Sequence, residues 1–246
     1  MYPRAVNAEL EIPAGGITKF KDVTGVVLAG GRSSRYGKNK ALVKVDGIPL
    51  VERALRTMGT IFEHVIMITN TPSEYAYLQV PMFQDIIKGL GPLGGIYTGL
   101  KVISNQAGFF VACDMPFLNP TLIQHMVAIR DDFDAVVPRI SGWIEALHGL
   151  YTIGCRGSIE RLIQSGTYQI FQFFSSVSVC FVDEDEIRKW DPDLRSFLNI
   201  NTPDELKRLE QDRSGGEIPF GDRALQRIDP WSESNRNGSA RSSASN

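Results

Sequence analysis

Short apolar runs alternate with amphipathic stretches over most of this chain. Residues 23–29 form an apolar, β-branched run that ends at two glycines, which predicts a buried strand. Residues 50–61 carry apolar side chains at three- and four-residue spacing, which predicts a helix. The same patterns predict strands at 64–69, 82–86, 108–113, 135–138, 146–152 and 177–182, and helices at 93–103, 120–129, 159–163 and from 203 onward.

This alternation predicts the fold class and the extent of the domain. Strands that alternate with helices form a mostly parallel sheet with helices on both faces, so we expect an α/β protein with three layers, α/β/α. One folded domain is expected at residues 22–212, between an irregular N-terminal extension at 1–21 and a tail at 213–246. The polar, glycine-containing composition of the tail predicts flexibility.

Composition and charge exclude several classes of protein. With 246 residues, 43% of them hydrophobic, the chain can bury a core and lacks the composition of a disordered protein. A net charge of −2 argues against nucleic-acid binding, and no apolar run reaches the roughly 18 residues of a membrane span. The three cysteines form no Cys-x-x-Cys pair and the first residues lack a secretory signal, so we expect a cytoplasmic protein without disulfides.

A glycine-rich, basic segment follows the first predicted strand and indicates a phosphate site. Glycines let the backbone approach an anion closely, and basic side chains neutralise it. The segment does not form a Walker A loop, because five residues separate Gly31 from Gly37 and Asn39 replaces the metal-binding hydroxyl. A solvated polar turn is the alternative interpretation. The basic residues of the segment are Arg32, Arg35, Lys38 and Lys40.

A second glycine motif imitates a dinucleotide-binding fingerprint. Gly89, Gly91 and Gly94 match Gly-x-Gly-x-x-Gly ahead of a predicted helix, and Asp114 lies 20 residues beyond Gly94. The preceding strand is weak, and the first strand–helix junction already carries the better phosphate loop. We therefore favour a tight loop in which Pro92 begins a helix beside a base-binding pocket, over an NAD-binding dehydrogenase.

Carboxylates after two predicted strands are candidates for the chemistry. Asp114 directly follows an apolar strand, where one carboxylate together with substrate phosphates suits Mg²⁺. A helix or turn cap near Pro116 is the alternative for Asp114, and an ordinary loop acid is the alternative for Asp85. The three histidines show no metal-binding spacing, and we interpret them as structural, with His148 near the cleft as the less favoured alternative.

Four motifs in order carry a resemblance to a known family. They are Leu-Ala-Gly-Gly-x3-Arg-x-Gly-x2-Lys at 28–40, Gly-Pro-Leu-x-Gly-Ile at 91–96, Asp-Met-Pro at 114–116 and Asn-Ile-Asn-Thr-Pro-Asp-Glu-Leu at 199–206. Over residues 23–210 the chain resembles the molybdenum cofactor guanylyltransferases, which have the Rossmann-like fold of nucleotide-diphospho-sugar transferases. Tyr36, Asn39 and the missing proline of segment 145–151 depart from the family pattern.

The resemblance implies an enzyme that transfers GMP from GTP to molybdopterin cofactor and releases pyrophosphate. It implies that Arg35 and Lys40 hold phosphates and that Asp114 binds Mg²⁺. It places Asn199 and Asn201 on the pterin side. The other implied nucleotide contacts are the backbone of Leu28, Ala29 and Gly30 and the side chains of Asn70 and Asp85. The implied partners are GTP, molybdopterin cofactor, and the molybdenum-insertion proteins, molybdoenzyme apoproteins or chaperones around it, without nucleic acid or membrane.

The resemblance also bears on the choice of base. Related cytidylyltransferases tend to have Leu-Ala-Ala-Gly and to lack Gly-Pro-Leu-x-Gly, whereas this chain has glycines at 30 and 31 and the complete motif at 91–95. The pattern therefore resembles that of the guanine-specific enzymes. The alternatives are another nucleotidyltransferase, of the cytidylyl or sugar-phosphate type, and a non-catalytic protein that binds or delivers the cofactor.

Overall fold

The computed structural model describes residues 19–30 and 39–200. Several sequence-based expectations concern residues outside these ranges. They are the centre of the glycine-rich segment with Arg35, Asn201 and the helix expected after it, most of the N-terminal extension, and the tail.

Most strands and helices of the described residues lie within a few residues of where the hydrophobic pattern predicts them. The strands are β1 (Phe20–Leu28), β2 (Lys44–Val45), β3 (Ile48–Pro49), β4 (Phe62–Ile68), β5 (Met82–Phe83), β6 (Ala107–Ala112), β7 (Ala135–Ile140), β8 (Trp143–Ile144), β9 (His148–Thr152) and β10 (Val179–Asp183). The α-helices are α1 (Leu50–Ile61), α2 (Pro92–Val102), α3 (Pro120–Ala128), α4 (Arg156–Gln164) and α5 (Glu184–Ile187). Short 3₁₀ helices occur at Lys40–Leu42, Pro72–Tyr75, Ile153–Cys155, Ile170–Ser176 and Arg195–Phe197.

One eight-stranded sheet organises the domain, in the order β10-β7-β9-β6-β1-β4-β5 with β8 paired to β7. Strand β1 lies parallel to both β4 and β6, and β4 lies parallel to β5. Strand β9 runs antiparallel between β6 and β7. The expected three-layer, mostly parallel arrangement is confirmed, and the reversal at β9 is a feature that the hydrophobic pattern does not encode.

Alternation along β1 sends side chains to two separate cores. Val23 and Val27 pack in the core shared with α1 and α3, whereas Val26 and Leu28 pack in the core shared with α2 and α4. Because successive side chains of a strand point to opposite faces, a strand covered on both faces is apolar throughout. This explains the unbroken apolar run that marks the strand in the sequence.

The start of α3 follows the expected capping chemistry. The side chain of Asn119 accepts hydrogen bonds from the backbone amides of Thr121 at 2.9 Å and Leu122 at 3.2 Å. Pro120 occupies the first helical position, where a missing amide proton has no cost. No helix in the described part of the chain is long and apolar enough to cross a membrane.

Close packing of α2 on the sheet gives a prediction about stability. A Cβ atom at Gly99 would lie 2.4 Å from Cε1 of Phe110, so we expect Gly99→Ala to lower the free energy of unfolding by about 1–3 kcal/mol through overpacking. Urea unfolding measures this change. Gly59→Ala in α1 is the matched control, since a Cβ atom at Gly59 would have no neighbour within 4 Å and alanine favours the helix. Equal effects of the two substitutions would contradict the packing argument.

Candidate active site

The carboxyl ends of the parallel strands bring the predicted site residues to one edge of the sheet. Gly30 follows β1, Asn70 follows β4, Asp85 follows β5 and Asp114 follows β6. The pairing of β1 with its neighbours continues past its last residue, because the amide of Ala29 donates to the carbonyl of Ile68 at 2.9 Å. Ligands of open α/β sheets bind at this edge, so the fold places these residues where a nucleotide is expected.

Lys40 and Asp114 form the central contact of the site. Lys40 Nζ lies 2.6 Å from Asp114 Oδ2, and the two side chains are 20% and 24% exposed. Lys40 begins the first 3₁₀ helix after the glycine-rich segment, and Asp114 follows β6, so residues 74 positions apart meet here. Partial burial strengthens the attraction between the two charges.

The donor set around Asp114 suits a hard divalent cation. The described residues contain no group of three or more histidine, cysteine, aspartate or glutamate side chains that could hold a metal. A cation at Asp114 would therefore depend on one carboxylate together with phosphate oxygens and water. Mg²⁺ is commonly bound in this way, whereas transition metals prefer sites rich in nitrogen or sulfur ligands.

Asn70 and Asp85 form a second polar pair at this edge of the sheet. Asn70 Nδ2 donates to Asp85 Oδ2 at 2.7 Å, and the backbone amide of Asp85 donates to Asn70 Oδ1 at 3.1 Å. The pair lies at the protein surface, so the mutual hydrogen bonds orient the two side chains without removing them from solvent. The pair links the end of β4 to the segment after β5.

Backbone conformation and packing account for two of the three glycines that imitate a dinucleotide fingerprint. Gly91 caps α2 with φ of +59°, a backbone conformation that favours glycine. A Cβ atom at Gly94 would lie 3.3 Å from the carbonyl oxygen of Ile87, and one at Gly95 would lie 3.1 Å from Cδ2 of Leu28. The small residues thus let the start of α2 approach the end of β1, as the loop interpretation expects.

The segment before residue 201 reaches the same edge. The amide of Ile200 donates to the backbone carbonyl of Asp114 at 3.2 Å, which brings the segment that carries Asn199 to the end of β6. Asn199 Oδ1 is buried and has no hydrogen-bond partner among the described residues. Buried polar atoms usually have a hydrogen-bond partner, so this oxygen is an exception among the described residues.

The backbone of the glycine-rich segment is partly engaged in the sheet. The carbonyl of Leu28 accepts a hydrogen bond from the amide of Cys113 at 3.1 Å, and the amide of Ala29 is paired with Ile68. Gly30 follows these two residues and is exposed. The described structure therefore brings together Leu28, Ala29, Gly30, Lys40, Asn70, Asp85, Asp114 and Asn199.

The structure does not bring His148 to the site. Its side chain is fully buried in β9, with its ring edge-on to Phe109 at 5.4 Å between centroids and 5.0 Å from Phe197. Neither ring nitrogen has a hydrogen-bond partner among the described residues, and burial lowers the pKa of His148 to about 3. The structural interpretation of this histidine, which the sequence analysis favours, is therefore supported.

A hydrogen-bonded cluster next to Lys40 is not apparent from the sequence. The side chain of Asn39 contacts Glu74 and Tyr75 across 35 and 36 residues of chain. Asn39 stands out only as a departure from the family pattern, and nothing in the local pattern marks Tyr75. Only the tertiary contacts reveal that these side chains meet.

Comparison with known proteins identifies the family. The sequence profile of the MobA-like NTP transferase domain matches residues 25–178, which is more than half of the chain. The chain belongs to the MobA-like NTP transferase family. The match covers every described site residue of this MobA-like chain except Asn199, and it confirms the resemblance inferred from the four motifs.

Two curated relatives of this MobA-like chain are named as molybdenum cofactor guanylyltransferases. The probable molybdenum cofactor guanylyltransferase of Peptoclostridium acidaminophilum is 34% identical over 76% of this chain and 87% of its own length. The molybdenum cofactor guanylyltransferase of Desulfosudis oleivorans is 35% identical over 80% of this chain and 98% of its own length. Members of the family are nucleotidyltransferases, enzymes that generally depend on a divalent metal ion.

Solved structures agree on the fold. Molybdopterin-guanine dinucleotide biosynthesis protein A from Archaeoglobus fulgidus matches with a TM-score of 0.68 at 28% identity, covering 77% of this chain and 97% of that one. A 4-diphosphocytidyl-2C-methyl-D-erythritol synthase from Anaerococcus prevotii matches with a TM-score of 0.57 at 14% identity, covering 78% of this chain and 96% of that one. The second likeness shows the fold alone, and both confirm the nucleotide-diphospho-sugar transferase type of the MobA-like chain.

Burial of His148 predicts a pH dependence of stability. The pKa of this histidine is about 3 in the folded protein against an ordinary value of 6.5, so between these values only the unfolded chain binds the proton. Stability is therefore present above pH 6.5 and falls with decreasing pH, by up to about 1.4 kcal/mol per pH unit.

Urea unfolding at pH 5 and pH 7 checks this slope. We expect His148→Leu to remove the part of the pH dependence that one proton contributes in the wild-type chain. An unchanged slope in His148→Leu would show that His148 titrates normally in the folded protein.

Proposed function

We propose that this protein transfers GMP from GTP to molybdopterin cofactor, forms the guanine dinucleotide cofactor and releases pyrophosphate. The observation that carries the proposal is the contact between Lys40 and Asp114 at the carboxyl edge of the sheet, in a chain of the MobA-like family. A phosphate-binding cation and a metal-binding carboxylate are the groups that nucleotidyl transfer requires. We also propose that the transferase domain spans residues 22–212, outside the N-terminal extension and the tail.

The proposed chemistry needs charge neutralisation and alignment, and no strong base. The attacking atom is a phosphate oxygen of the acceptor, which is already ionised near neutral pH. Lys40 donates to the phosphate oxygens on which negative charge develops, with Arg35 assisting from the glycine-rich segment. Asp114 would hold a divalent cation, which we propose to be Mg²⁺. When bound, this ion would offset charge at the α-phosphate.

The proposed nucleotide side uses backbone and amide groups. Gly30 and the backbone of the preceding Leu28 and Ala29 border the phosphates, and the pair of Asn70 and Asp85 contacts the nucleoside. The guanine edge asks for an acceptor for its amino group and a donor for its carbonyl. A glycine-containing turn such as the one before α2 can present both from the backbone.

The proposed acceptor side lies beside Asp114. Asn199, with its buried unpaired oxygen, and Asn201 would contact the pterin end of the cofactor. We include molybdenum-insertion proteins, molybdoenzyme apoproteins or their chaperones as protein partners, since the product is a protein-bound cofactor. The proposal places the protein in the cytoplasm, where its cysteines remain reduced.

Nucleotide selectivity tests the proposal directly. We expect GTP to bind with Mg²⁺ at least tenfold more tightly than CTP, ATP or UTP, and we expect Lys40→Ala to weaken GTP binding by about tenfold or more, because one charge-assisted hydrogen bond is worth about 1.5–3 kcal/mol. Isothermal titration calorimetry on the full chain measures both. Selective binding of CTP or UTP would point to a cytidylyl or sugar-phosphate type of transferase, and no nucleotide binding would point to a cofactor-delivery protein.

Removal of the carboxylate at position 114 tests the metal role. We expect Asp114→Asn to lower the rate of pyrophosphate release from GTP and molybdopterin by about 100-fold or more, because it removes the charged ligand of a hard cation. Asp22→Asn is the matched control, since Asp22 lies at the amino end of β1, opposite the site, where it pairs with Arg130. Near-normal transfer by Asp114→Asn in Mg²⁺ would rule out this assignment.

A further inference from the structure

Asn39 holds the junction between the glycine-rich segment and Lys40. Its side-chain oxygen Oδ1 accepts a hydrogen bond from the amide of Ala41 at 3.1 Å, which caps the 3₁₀ helix that begins at Lys40. Its amide nitrogen Nδ2 donates to Glu74 Oε2 and lies 2.7 Å from the hydroxyl of Tyr75. Both polar atoms of the Asn39 side chain are thereby engaged.

Tyr75 supplies a rigid support for this junction. Its side chain is 1% exposed and packs in the core shared with α1 and α3, while its hydroxyl donates to Asn39 Oδ1 at 3.0 Å. Burial raises the pKa of Tyr75 to about 12, so the hydroxyl keeps its proton at any physiological pH. Core packing fixes the position of the Tyr75 hydroxyl. The hydrogen bond between this hydroxyl and Asn39 therefore restrains the Asn39 side chain.

The support comes from the nucleotide side of the site. Tyr75 ends the 3₁₀ helix Pro72–Tyr75, which begins two residues after Asn70, and Asn70 is paired with Asp85. The contact between Asn39 and Tyr75 thus connects the segment that carries Lys40 to the segment that carries the nucleotide contacts. These two segments follow different strands, β1 and β4, and the contact joins residues 36 positions apart in sequence.

We propose that Asn39 and Tyr75 are positioning residues that hold the Lys40 side chain where it can contact the nucleotide phosphates. This inference rests on the proposed function, because it assigns a task to Lys40 in the same site. The pair acts through Lys40 and contacts no substrate itself. Glu74 restricts the charge of the side chain at position 39. Its carboxylate accepts a hydrogen bond from Asn39 Nδ2 and would repel an acidic side chain at that position.

The experiment measures kcat and KM for GTP of guanylyl transfer in a double-mutant cycle. Asn39→Ala and Tyr75→Phe are made in the wild-type chain and in Lys40→Ala. We expect each to lower kcat/KM about tenfold or more in the wild-type chain, because small misplacements of a catalytic group are costly, and less than about twofold in Lys40→Ala. Full, additive losses in the Lys40→Ala chain would show a merely structural role and overturn the proposal.

Two matched controls separate positioning from lost stability. Asn105→Ala removes a side chain that donates to the carbonyl of Lys21 and to Thr24 at the opposite end of the sheet. Tyr151→Phe removes a buried hydroxyl that donates to the carbonyl of Ala146. We expect both to lower Tm comparably with the test variants while kcat/KM stays within about twofold of wild type. Losses of kcat/KM equal to those of the test variants would overturn the proposal.

A charge swap keeps the inference testable if Tyr75→Phe fails to fold. We expect Asn39→Asp to lower kcat/KM, because two carboxylates then face each other. We expect Asn39→Asp combined with Glu74→Gln to recover most of the loss, because the amide introduced at position 74 can donate to the carboxylate at position 39 in a reversed hydrogen bond. No recovery in the double variant would overturn the proposal. Absence of GMP transfer by the wild-type chain would instead refute the proposed function, so the two failures are distinguishable.

Discussion

The parallel pairing of β1 with β4 on one side and β6 on the other is the constraint on which the site depends. Leu28 lies opposite Ile68 in one register and opposite Ala112 in the other, so the three strands end level with one another. Apolar side chains cover both faces of the sheet where these strands meet, and the polar site residues follow the strand ends. Because the three strands end at the same level, the start of the glycine-rich segment, Asn70 and Asp114 lie at the same edge of the sheet.

A half-buried ion pair determines the electrostatics at this edge of the sheet. Lys40 and Asp114 neutralise each other at the edge of the sheet, and each belongs to a segment that the core fixes independently. The carboxyl end of β6 carries Asp114, while core packing of Tyr75 restrains the junction before Lys40. A site with fixed charges has little reorganisation to undergo when phosphate charge develops, which is how preorganised electrostatics accelerate group transfer.

The hydrophobic pattern was sufficient for most of the architecture, and the spacing of glycine, basic and acidic residues was sufficient for the chemistry-bearing motifs. It located the long strands and helices of the described core within a few residues, because burial on one or two faces imposes a period that the sequence must repeat. It did not predict the two-residue strands β2, β3 and β8 or the direction of β9. Strands of two residues are too short to show a hydrophobic period. The direction of a strand relative to its neighbours depends on which strands it pairs with in the sheet.

The sequence by itself determined the fold class, the family and the identity of Lys40, Asp85 and Asp114 as candidates, because ordered motifs and local periodicity are written into consecutive residues. The tertiary structure alone decided which candidates meet. In the folded chain, Lys40 pairs with Asp114, His148 is buried in the core, and Asn39 forms a hydrogen bond with Tyr75. Contacts between residues 35 or more positions apart depend on how strands pair and side chains pack, and no local pattern along the chain records that.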